Sequence, residues 1–232
     1  MAEQSGLIKG LEGVVAAETA LCDLDGANGR LAYRGYDIDE LARQASYEEV
    51  AHLLWRGELP TRGQLDGFAA ELVAARPLPD ALLAAFRLLP KKADPMRALQ
   101  MAAAMLGTFD PDATDNSHEA NLRKALRLTS QLATGICSHH RIRLGKEPVP
   151  PSKDLGHAAN FLFMLTGERP SAVNVRAFDA GLILYAEHEL NASTFTTRVI
   201  TSTLSDMHSA VVGGIGAMKG PLHGGAGEAV ML

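Results

Sequence analysis

Two histidines lie in segments where helices are expected to break, and both are surrounded by small or polar residues. His223 belongs to GAMKGPLHGGAGEAVM, residues 216–231, and His188 belongs to AEHELNASTFTTR, residues 186–198. Pro221 has a fixed φ that suits a helix start, and the glycines beside His223 let a backbone or a ligand approach closely. We take these two segments as the candidate sites of chemistry.

His223 is expected in the first turn of a helix, beside backbone N–H groups that have no partner within the helix. The positive end of the helix dipole disfavours an imidazolium, so the ring is expected to be neutral. A neutral imidazole can donate a hydrogen bond to a carbonyl that is becoming an enolate. The alternative is a helix start that contains a histidine by chance, and the local pattern favours neither interpretation.

His188 is predicted to end one helix, and either Asn191 or Ser193 is predicted to cap the next. A histidine held between a helix end and a cap can point into a cleft and bind a carboxylate or a carbonyl. The competing interpretation is a surface histidine that interacts with the negative end of the helix dipole. The local pattern alone favours this second interpretation.

The elements that would position both segments are predicted to be almost entirely helical. Alanine and leucine are abundant and aromatic residues make up only 5% of the chain, which favours helices packed on helices. The turn signals Asp25-Gly26 and Asn28-Gly29 predict one small β-hairpin between residues 13–20 and 30–33. No further strand is predicted.

Helix starts, breaks and apolar spacing divide the rest of the chain into helices. Ser46 with Glu49 forms a capping-box pattern, and Pro95 suits the first turn of a helix. The predicted helices span residues 38–44, 47–57, 62–75, 80–88, 95–107, 117–144, 152–166, 171–188, 194–206 and 208–218, with a final one beginning near Leu222. Residues 1–35 are accordingly expected to form an N-terminal arm and hairpin, and residues 36–232 a helical domain.

Composition excludes several classes of partner. The net charge is −5 and no basic run is longer than a pair, so neither a nucleic-acid nor a membrane partner is expected. No stretch reaches the roughly 18 apolar residues that cross a bilayer, and the N-terminus has no apolar signal core. Two isolated cysteines fit a reducing compartment, and we expect a cytoplasmic protein. No Cys/His group has metal-ligand spacing and no phosphate-binding glycine loop is present.

Several segments together closely resemble the citrate synthase family, in order and from about residue 8 to the last residue. They are GLEGVVAAET, LAYRGYDIDELA, KEPVPP, LGHAANFLFMLTGERPS and HELNASTFTTRVITSTLSDMHSAVVGGIGAMKGPLHGGAGEAVM. The GPLHGG and HxxNAST patterns are the most specific of these. The resemblance implies a mainly α fold, a multi-helical citrate synthase-like large domain with a small N-terminal β-hairpin.

The family resemblance also implies an activity and roles for individual residues. Citrate synthases condense acetyl-CoA with oxaloacetate and release citrate and CoA, so acetyl-CoA is a substrate and no cofactor is expected. His223 matches the histidine that is hydrogen-bonded to the acetyl carbonyl as it enolises. His188 matches a histidine that contacts oxaloacetate, and Asn191 is assigned to substrate binding with it.

The resemblance places the backbone around Gly220, Pro221 and Leu222, together with Lys219, near the pantetheine and thioester end of CoA. It also implies a homodimer, for which the apolar helix near residues 95–107 and the Gly/Ala-rich helix near 208–218 are the candidate contacts.

The sequence departs from the family pattern in two ways. The second catalytic histidine of the family lies in a GHRVYK-like motif that this sequence does not contain, and the aspartate base and carboxylate-binding arginines of the family lie later still. The chain covers about the first three-fifths of a family-length protein, truncated before most of the small domain. Because enolising a thioester needs an acid and a base together, the chain is expected to be inactive alone. Gly227 also stands where the family usually has asparagine.

Two alternatives remain open at this stage. A 2-methylcitrate synthase would use propionyl-CoA, and one methylene in a pocket discriminates by only ~1–3 kcal/mol. A non-catalytic truncated fragment, or a partner of a full-length synthase, would carry the same motifs without turnover. Arg34, in the turn-rich YRGYD stretch, is a weaker candidate for a position near the substrate.

Overall fold

Within residues 17–224, which a computed structural model describes, three short strands precede ten α-helices. The strands are β1 (Cys22–Asp25), β2 (Arg30–Tyr33) and β3 (Tyr36–Asp37). The helices are α1 (Ile38–Gln44), α2 (Tyr47–Arg56), α3 (Arg62–Ala74), α4 (Asp80–Leu88), α5 (Pro95–Phe109), α6 (His118–Arg143), α7 (His157–Thr166), α8 (Ala172–Leu184), α9 (Ala192–Ser202) and α10 (Met207–Met218). The expected mainly α fold with a small N-terminal hairpin is confirmed.

The strands form one antiparallel sheet in the order β1-β2-β3. The predicted hairpin is present, but its first strand is β1 and not residues 13–20, of which residues 13–16 lie outside the described part of the chain. Strand β3 was not predicted. It follows a two-residue turn in which Arg34 has φ 52° and Gly35 has φ 89°. Positive φ at both positions is the geometry of a tight hairpin turn. The turn could not be recognised from the sequence because its first position, usually asparagine, aspartate or glycine, is an arginine. The expected boundary at residue 35 therefore falls within the sheet.

Helix starts follow local capping chemistry closely. The Ser46 hydroxyl and the Glu49 side chain form the predicted capping box of α2. Asp37 caps α1, and Pro95 occupies the first turn of α5 behind the cap residue Asp94. Each cap satisfies backbone N–H groups that the first helical turn leaves unpaired, which explains why these boundaries were predictable.

The helix predicted at 152–166 begins only at His157. The guanidinium of Arg76 donates to the carbonyl of Ser152 at 2.6 Å and to that of Leu155 at 2.8 Å. Because both carbonyls are already paired with a buried side chain, this stretch does not need helical hydrogen bonds and remains non-helical.

The helix predicted at 171–188 is also shorter, because α8 ends at Leu184. The hydroxyl of Tyr33 lies within hydrogen-bonding distance of the last carbonyls of α8. His188 was predicted to end this helix. It lies instead in the loop that follows α8. The helix predicted at 194–206 is observed as α9, with Asn191 as its cap residue. Residues 221–223 form a turn, and the continuation of the predicted final helix lies outside the described residues.

Two main apolar clusters join the sheet and the helices to one another. One joins the sheet to α1, α2 and α8 through Tyr33, Leu53 and Ile183. The other joins α4, α5 and α6 through residues that include Phe86 and Ala102. Helix α10 packs against both α5 and α9, so the two helices proposed as dimer contacts also contact each other within the chain. Within the described part of the chain, no helix combines the length and the apolar character needed to cross a membrane.

Candidate functional site

The candidate site lies where α9 begins and where the chain leaves α10. The side-chain oxygen of Asn191 accepts a hydrogen bond from the backbone N–H of Thr194 at 3.0 Å, so Asn191, of the two predicted candidates, caps α9. Ser193 is buried in the first turn of this helix. This cap fixes the direction of α9 and presents the Ser193 hydroxyl towards the end of α10.

His223 and Ser193 are joined by a hydrogen bond across 30 residues of sequence. The ring Nε2 of His223 lies 2.9 Å from the hydroxyl oxygen of Ser193, and that hydroxyl lies 2.7 Å from Asn191 Oδ1. The carboxamide oxygen can only accept, so the Ser193 proton points to Asn191 and the hydroxyl oxygen accepts from Nε2. In this arrangement Nε2 carries the ring proton and Nδ1 presents a lone pair.

In the other arrangement the Ser193 proton turns to His223 Nε2, and the hydrogen bond to Asn191 Oδ1 is lost. The ring proton is then on Nδ1, and Nδ1 becomes a donor. A single hydroxyl rotation thus decides whether His223 offers an acceptor or a donor to a ligand. The expectation of a donating neutral imidazole requires the second arrangement.

Close contact of α9 with α10 brings the two halves of this site together. A Cβ placed on Gly214 would lie 2.7 Å from the hydroxyl oxygen of Thr197 and 3.6 Å from the carbonyl oxygen of Ser193. Thr197 in turn donates to that carbonyl at 2.7 Å. A residue without a side chain is therefore required where α10 passes the first turn of α9.

The turn after α10 positions the residues expected near CoA. The backbone N–H of Gly220 donates to the carbonyl of Ala217 at 3.1 Å, and that of His223 donates to the carbonyl of Gly220 at 3.0 Å. Pro221 is exposed and Leu222 is fully exposed, so both are available to a ligand.

Lys219 is directed elsewhere. Its Nζ lies 3.5 Å from Asp94 Oδ2, at the start of α5. The side chain retains 30% exposure, so this ion pair is a weak surface contact that a phosphate could replace.

His188 lies in the loop between α8 and α9, and its ring is exposed. The next residue, Glu189, has φ 54°, a left-handed conformation that is uncommon for residues other than glycine. The loop reverses direction here and leads into the cap of α9. Along the chain, His188 precedes Asn191 by three residues and the buried Ser193 by five.

Similarity to known proteins covers nearly all of the chain. The family model described as citrate synthase, C-terminal domain, matches residues 10–232. The citrate synthase of Haloferax volcanii is 48% identical over 231 residues, which is 97% of this chain and 60% of that protein. The chain belongs to the citrate synthase family. The resemblance inferred from the motifs is thereby confirmed.

Other citrate synthase family proteins show the same partial coverage. The 2-methylcitrate synthase of Mycobacterium tuberculosis is 46% identical over 229 residues, covering 99% of this chain and 58% of that protein. A crystal structure of the Thermoplasma acidophilum citrate synthase, described as a ternary complex with carboxymethyl coenzyme A and oxaloacetate, matches with a TM-score of 0.88 and 30% identity, covering 94% of this chain and 57% of that one. The chain thus spans about three-fifths of the length of its citrate synthase relatives.

Sequence reasoning named His223 and Asn191 as candidates but missed Ser193, which is hydrogen-bonded to both of them. Ser193 was considered only as an alternative cap, because a hydrogen bond over 30 residues leaves no local pattern. The pairing of a GPLHGG turn with an NAST segment is the signal that could have suggested it. Gly227, where the citrate synthase family usually has asparagine, lies outside the described residues.

No cluster of three or more His, Cys, Asp or Glu side chains suited to a metal ion is found between residues 17 and 224. The guanidinium of Arg34, the weaker candidate, lies 3.4 Å from the carbonyl of Leu54 in the core beneath the sheet.

Proposed function

We propose that this chain supplies the thioester- and oxaloacetate-binding part of a citrate synthase-type acyltransferase, which condenses acetyl-CoA with oxaloacetate to give citrate and CoA. The observation that carries the proposal is the 2.9 Å hydrogen bond between His223 and Ser193, which joins the GPLHGG turn to the HELNAST segment. The oxaloacetate and CoA analogue named for the Thermoplasma relative support the same pair of substrates.

In the proposed reaction His223 stabilises the enolate oxygen of acetyl-CoA. When Ser193 donates its proton to Nε2, the ring carries its own proton on Nδ1 and can donate it as a hydrogen bond to the thioester carbonyl. Negative charge develops on that oxygen as the methyl proton leaves, so a preorganised donor stabilises the transition state more than the ground state. His223 is half-buried, and its Nε2 is held by the hydrogen bond with Ser193.

In the proposed complex His188 and Asn191 bind oxaloacetate. His188 is exposed in the loop before α9, where its ring can meet a carboxylate or a ketone oxygen. The Asn191 side-chain oxygen is already held by Thr194 and Ser193. Asn191 Oδ1 therefore competes with His223 Nε2 for the Ser193 proton, whose position decides which nitrogen of His223 is protonated. The exposed turn at Pro221 and Leu222 faces the thioester end of CoA in this proposal.

We further propose that the 232-residue polypeptide has no turnover alone. Removing the methyl proton of a thioester requires a base that acts together with the donor, and protonating the oxaloacetate carbonyl requires a second acid. The family motif that carries the second histidine does not occur in these 232 residues. His223 supplies one half of an acid–base pair.

A thiol-release assay on the purified chain tests these proposals. With acetyl-CoA and oxaloacetate, the expected result is CoA release no faster than in buffer. Release that depends on oxaloacetate and is lost in His223→Ala would show that the chain is active by itself and would overturn the proposed inactivity. Release that does not depend on oxaloacetate would indicate thioester hydrolysis and would overturn the proposed function.

A 2-methylcitrate synthase is the second candidate function. The 46% identity to the Mycobacterium tuberculosis 2-methylcitrate synthase supports it nearly as well as the first. Propionyl-CoA differs from acetyl-CoA by one methylene, which a pocket distinguishes by about 1–3 kcal/mol, or roughly 5- to 150-fold. The same assay is run with propionyl-CoA, and it can be repeated with any active form of the protein. The rate of CoA release from propionyl-CoA relative to acetyl-CoA separates the two candidates.

We also infer that two copies of the chain associate through α5 and α10. Small or flexible residues are exposed on both helices, among them Ala104 and Gly216, with Met218 at the end of α10. Small residues let helices from two subunits approach closely. Sedimentation equilibrium is expected to give twice the chain mass of 24.7 kDa, and Ala104→Glu is expected to give the monomer mass. A wild-type chain that remains monomeric at micromolar concentration would contradict this inference.

A further inference from the structure

Tyr33 is a fully buried tyrosine whose hydroxyl is directed at the end of a helix far away in sequence. It is the last residue of β2, it has no solvent exposure, and its ring packs in the cluster that contains Leu53 and Ile183. A ring in this core needs no hydroxyl for packing. A buried hydroxyl is costly unless it is paired, so its partners indicate what it does.

The partners of the Tyr33 hydroxyl all belong to the segment that leaves α8. The oxygen lies 3.1 Å from the carbonyl of Ile183, 3.3 Å from that of Leu184 and 2.9 Å from that of Glu187. It also accepts from the backbone N–H of Glu187 at 3.3 Å. The phenol has a single proton, which the shortest distance assigns to the Glu187 carbonyl, while the carbonyls of Ile183 and Leu184 lie close to the same oxygen.

Cys22 contacts the same loop from the neighbouring strand. Its thiol lies 3.4 Å from a carboxylate oxygen of Glu187. Burial and the hydrogen bond to Glu187 raise the pKa of Cys22 to about 11, partly opposed by a backbone hydrogen bond from Glu189. The thiol therefore stays protonated at neutral pH and donates to Glu187. Cys22 and Tyr33 face each other in the register of β1 and β2, so the hairpin contacts the chain on both sides of His188.

We propose that Tyr33 is a positioning residue, which, assisted by Cys22, fixes the 185–190 loop and so presents His188 to the substrate. The hydroxyl donates to the Glu187 carbonyl and accepts from the Glu187 N–H just after α8, which leaves His188 as the next residue with a defined direction. The naming of oxaloacetate as the substrate that meets His188 rests on the proposed function. The contact between the hairpin and the loop does not.

Hydrogen exchange of backbone amides tests the positioning role in the 232-residue chain. Tyr33→Phe removes the hydroxyl and keeps the ring in the core, whereas Tyr36→Phe, at an exposed tyrosine of the same sheet, is the matched control. Loss of one hydrogen bond of ordinary strength is expected to speed exchange of the Glu187 amide by up to about tenfold in Tyr33→Phe. The amides of α6 and the control variant are expected to exchange as in the wild type. Unchanged exchange at Glu187, or equal acceleration throughout the chain, would overturn the proposal.

The imidazole NMR signals of His188 provide a readout that a purely structural role would not move. Tyr33→Phe is expected to shift these signals and to raise the oxaloacetate concentration that half-saturates their response by several-fold. A response to oxaloacetate in the wild type that is unchanged in Tyr33→Phe would overturn the positioning role. If His188 responds to oxaloacetate in neither protein while Glu187 exchange is accelerated, the positioning role stands and the proposed substrate of His188 is wrong.

A pair of Cys22 variants keeps the test decisive if Tyr33→Phe does not fold. Cys22→Ser retains a donor towards Glu187, and Cys22→Ala does not. Cys22→Ala is expected to speed exchange of loop amides by a few-fold, since one contact between the hairpin and the loop is lost. Cys22→Ser is expected to restore the wild-type rate. Equal rates in the two variants would contradict the proposed assistance by Cys22, and with it the anchoring of the loop by the hairpin.

Discussion

Gly107→Val is expected to lower the free energy of unfolding by about 3 kcal/mol, because there is no room for a side chain where α5 contacts α10. A Cβ at Gly107 would lie 2.9 Å from the Cβ of His208 and 3.0 Å from its Cγ. His208 cannot move aside, since its buried ring lies 3.4 Å from Asp110 and 3.8 Å from Asp206. Urea unfolding followed by circular dichroism measures the loss.

Gly216→Ala is the matched control on the other helix of the same pair. A Cβ at Gly216 would lie 2.9 Å from the side-chain nitrogen of Gln100, which is the flexible end of a long side chain. Moving that end is inexpensive, and alanine gains roughly 0.5–1 kcal/mol over glycine inside a helix. The control is expected to stay within about 1 kcal/mol of the wild type. Similar losses in both variants would show that the α5–α10 contact is not tightly packed.

The stability of the chain is expected to fall by roughly 3 kcal/mol as the pH is lowered from about 6.5 to about 4, owing to His157. Burial lowers the pKa of His157 to about 4, with Glu48 opposing that shift and Arg76 adding to it. The unfolded chain binds a proton on this histidine near pH 6.5, whereas the folded chain does so only near pH 4. Between these values the unfolded state binds more protons, so stability decreases with acid and this contribution levels off below pH 4.

His157→Phe is expected to remove most of that pH dependence. The ring of His157 lies against Tyr47 with centroids 5.0 Å apart, and a phenyl ring can occupy the same place without titrating. The unfolding free energies of both proteins, measured from pH 7 to pH 4, give the contribution of His157 as the difference between two curves. Parallel curves would mean that His157 is protonated in the folded chain at the usual pH.

Several helix starts, and the end of α6, could be predicted because their causes are local. The Ser46–Glu49 capping box, the proline at the first turn of α5 and the glycine that follows α6 each act within one helical turn. The start of α7 and the end of α8 could not be predicted in this way. They depend on the Arg76 guanidinium and the Tyr33 hydroxyl, which are 76 and 150 residues away from the nearest carbonyls that they serve.

The same distinction between local and long-range causes applies to the candidate site. The sequence by itself determined the family, the turn that carries His223 and the capped segment that follows His188, because glycine, proline and asparagine act on neighbouring backbone. Only the tertiary structure decided that Ser193 is the partner of His223 and that the hairpin holds the loop of His188. These pairings depend on how closely α9 approaches α10 and where β2 meets α8, and such distances arise from packing of the whole chain.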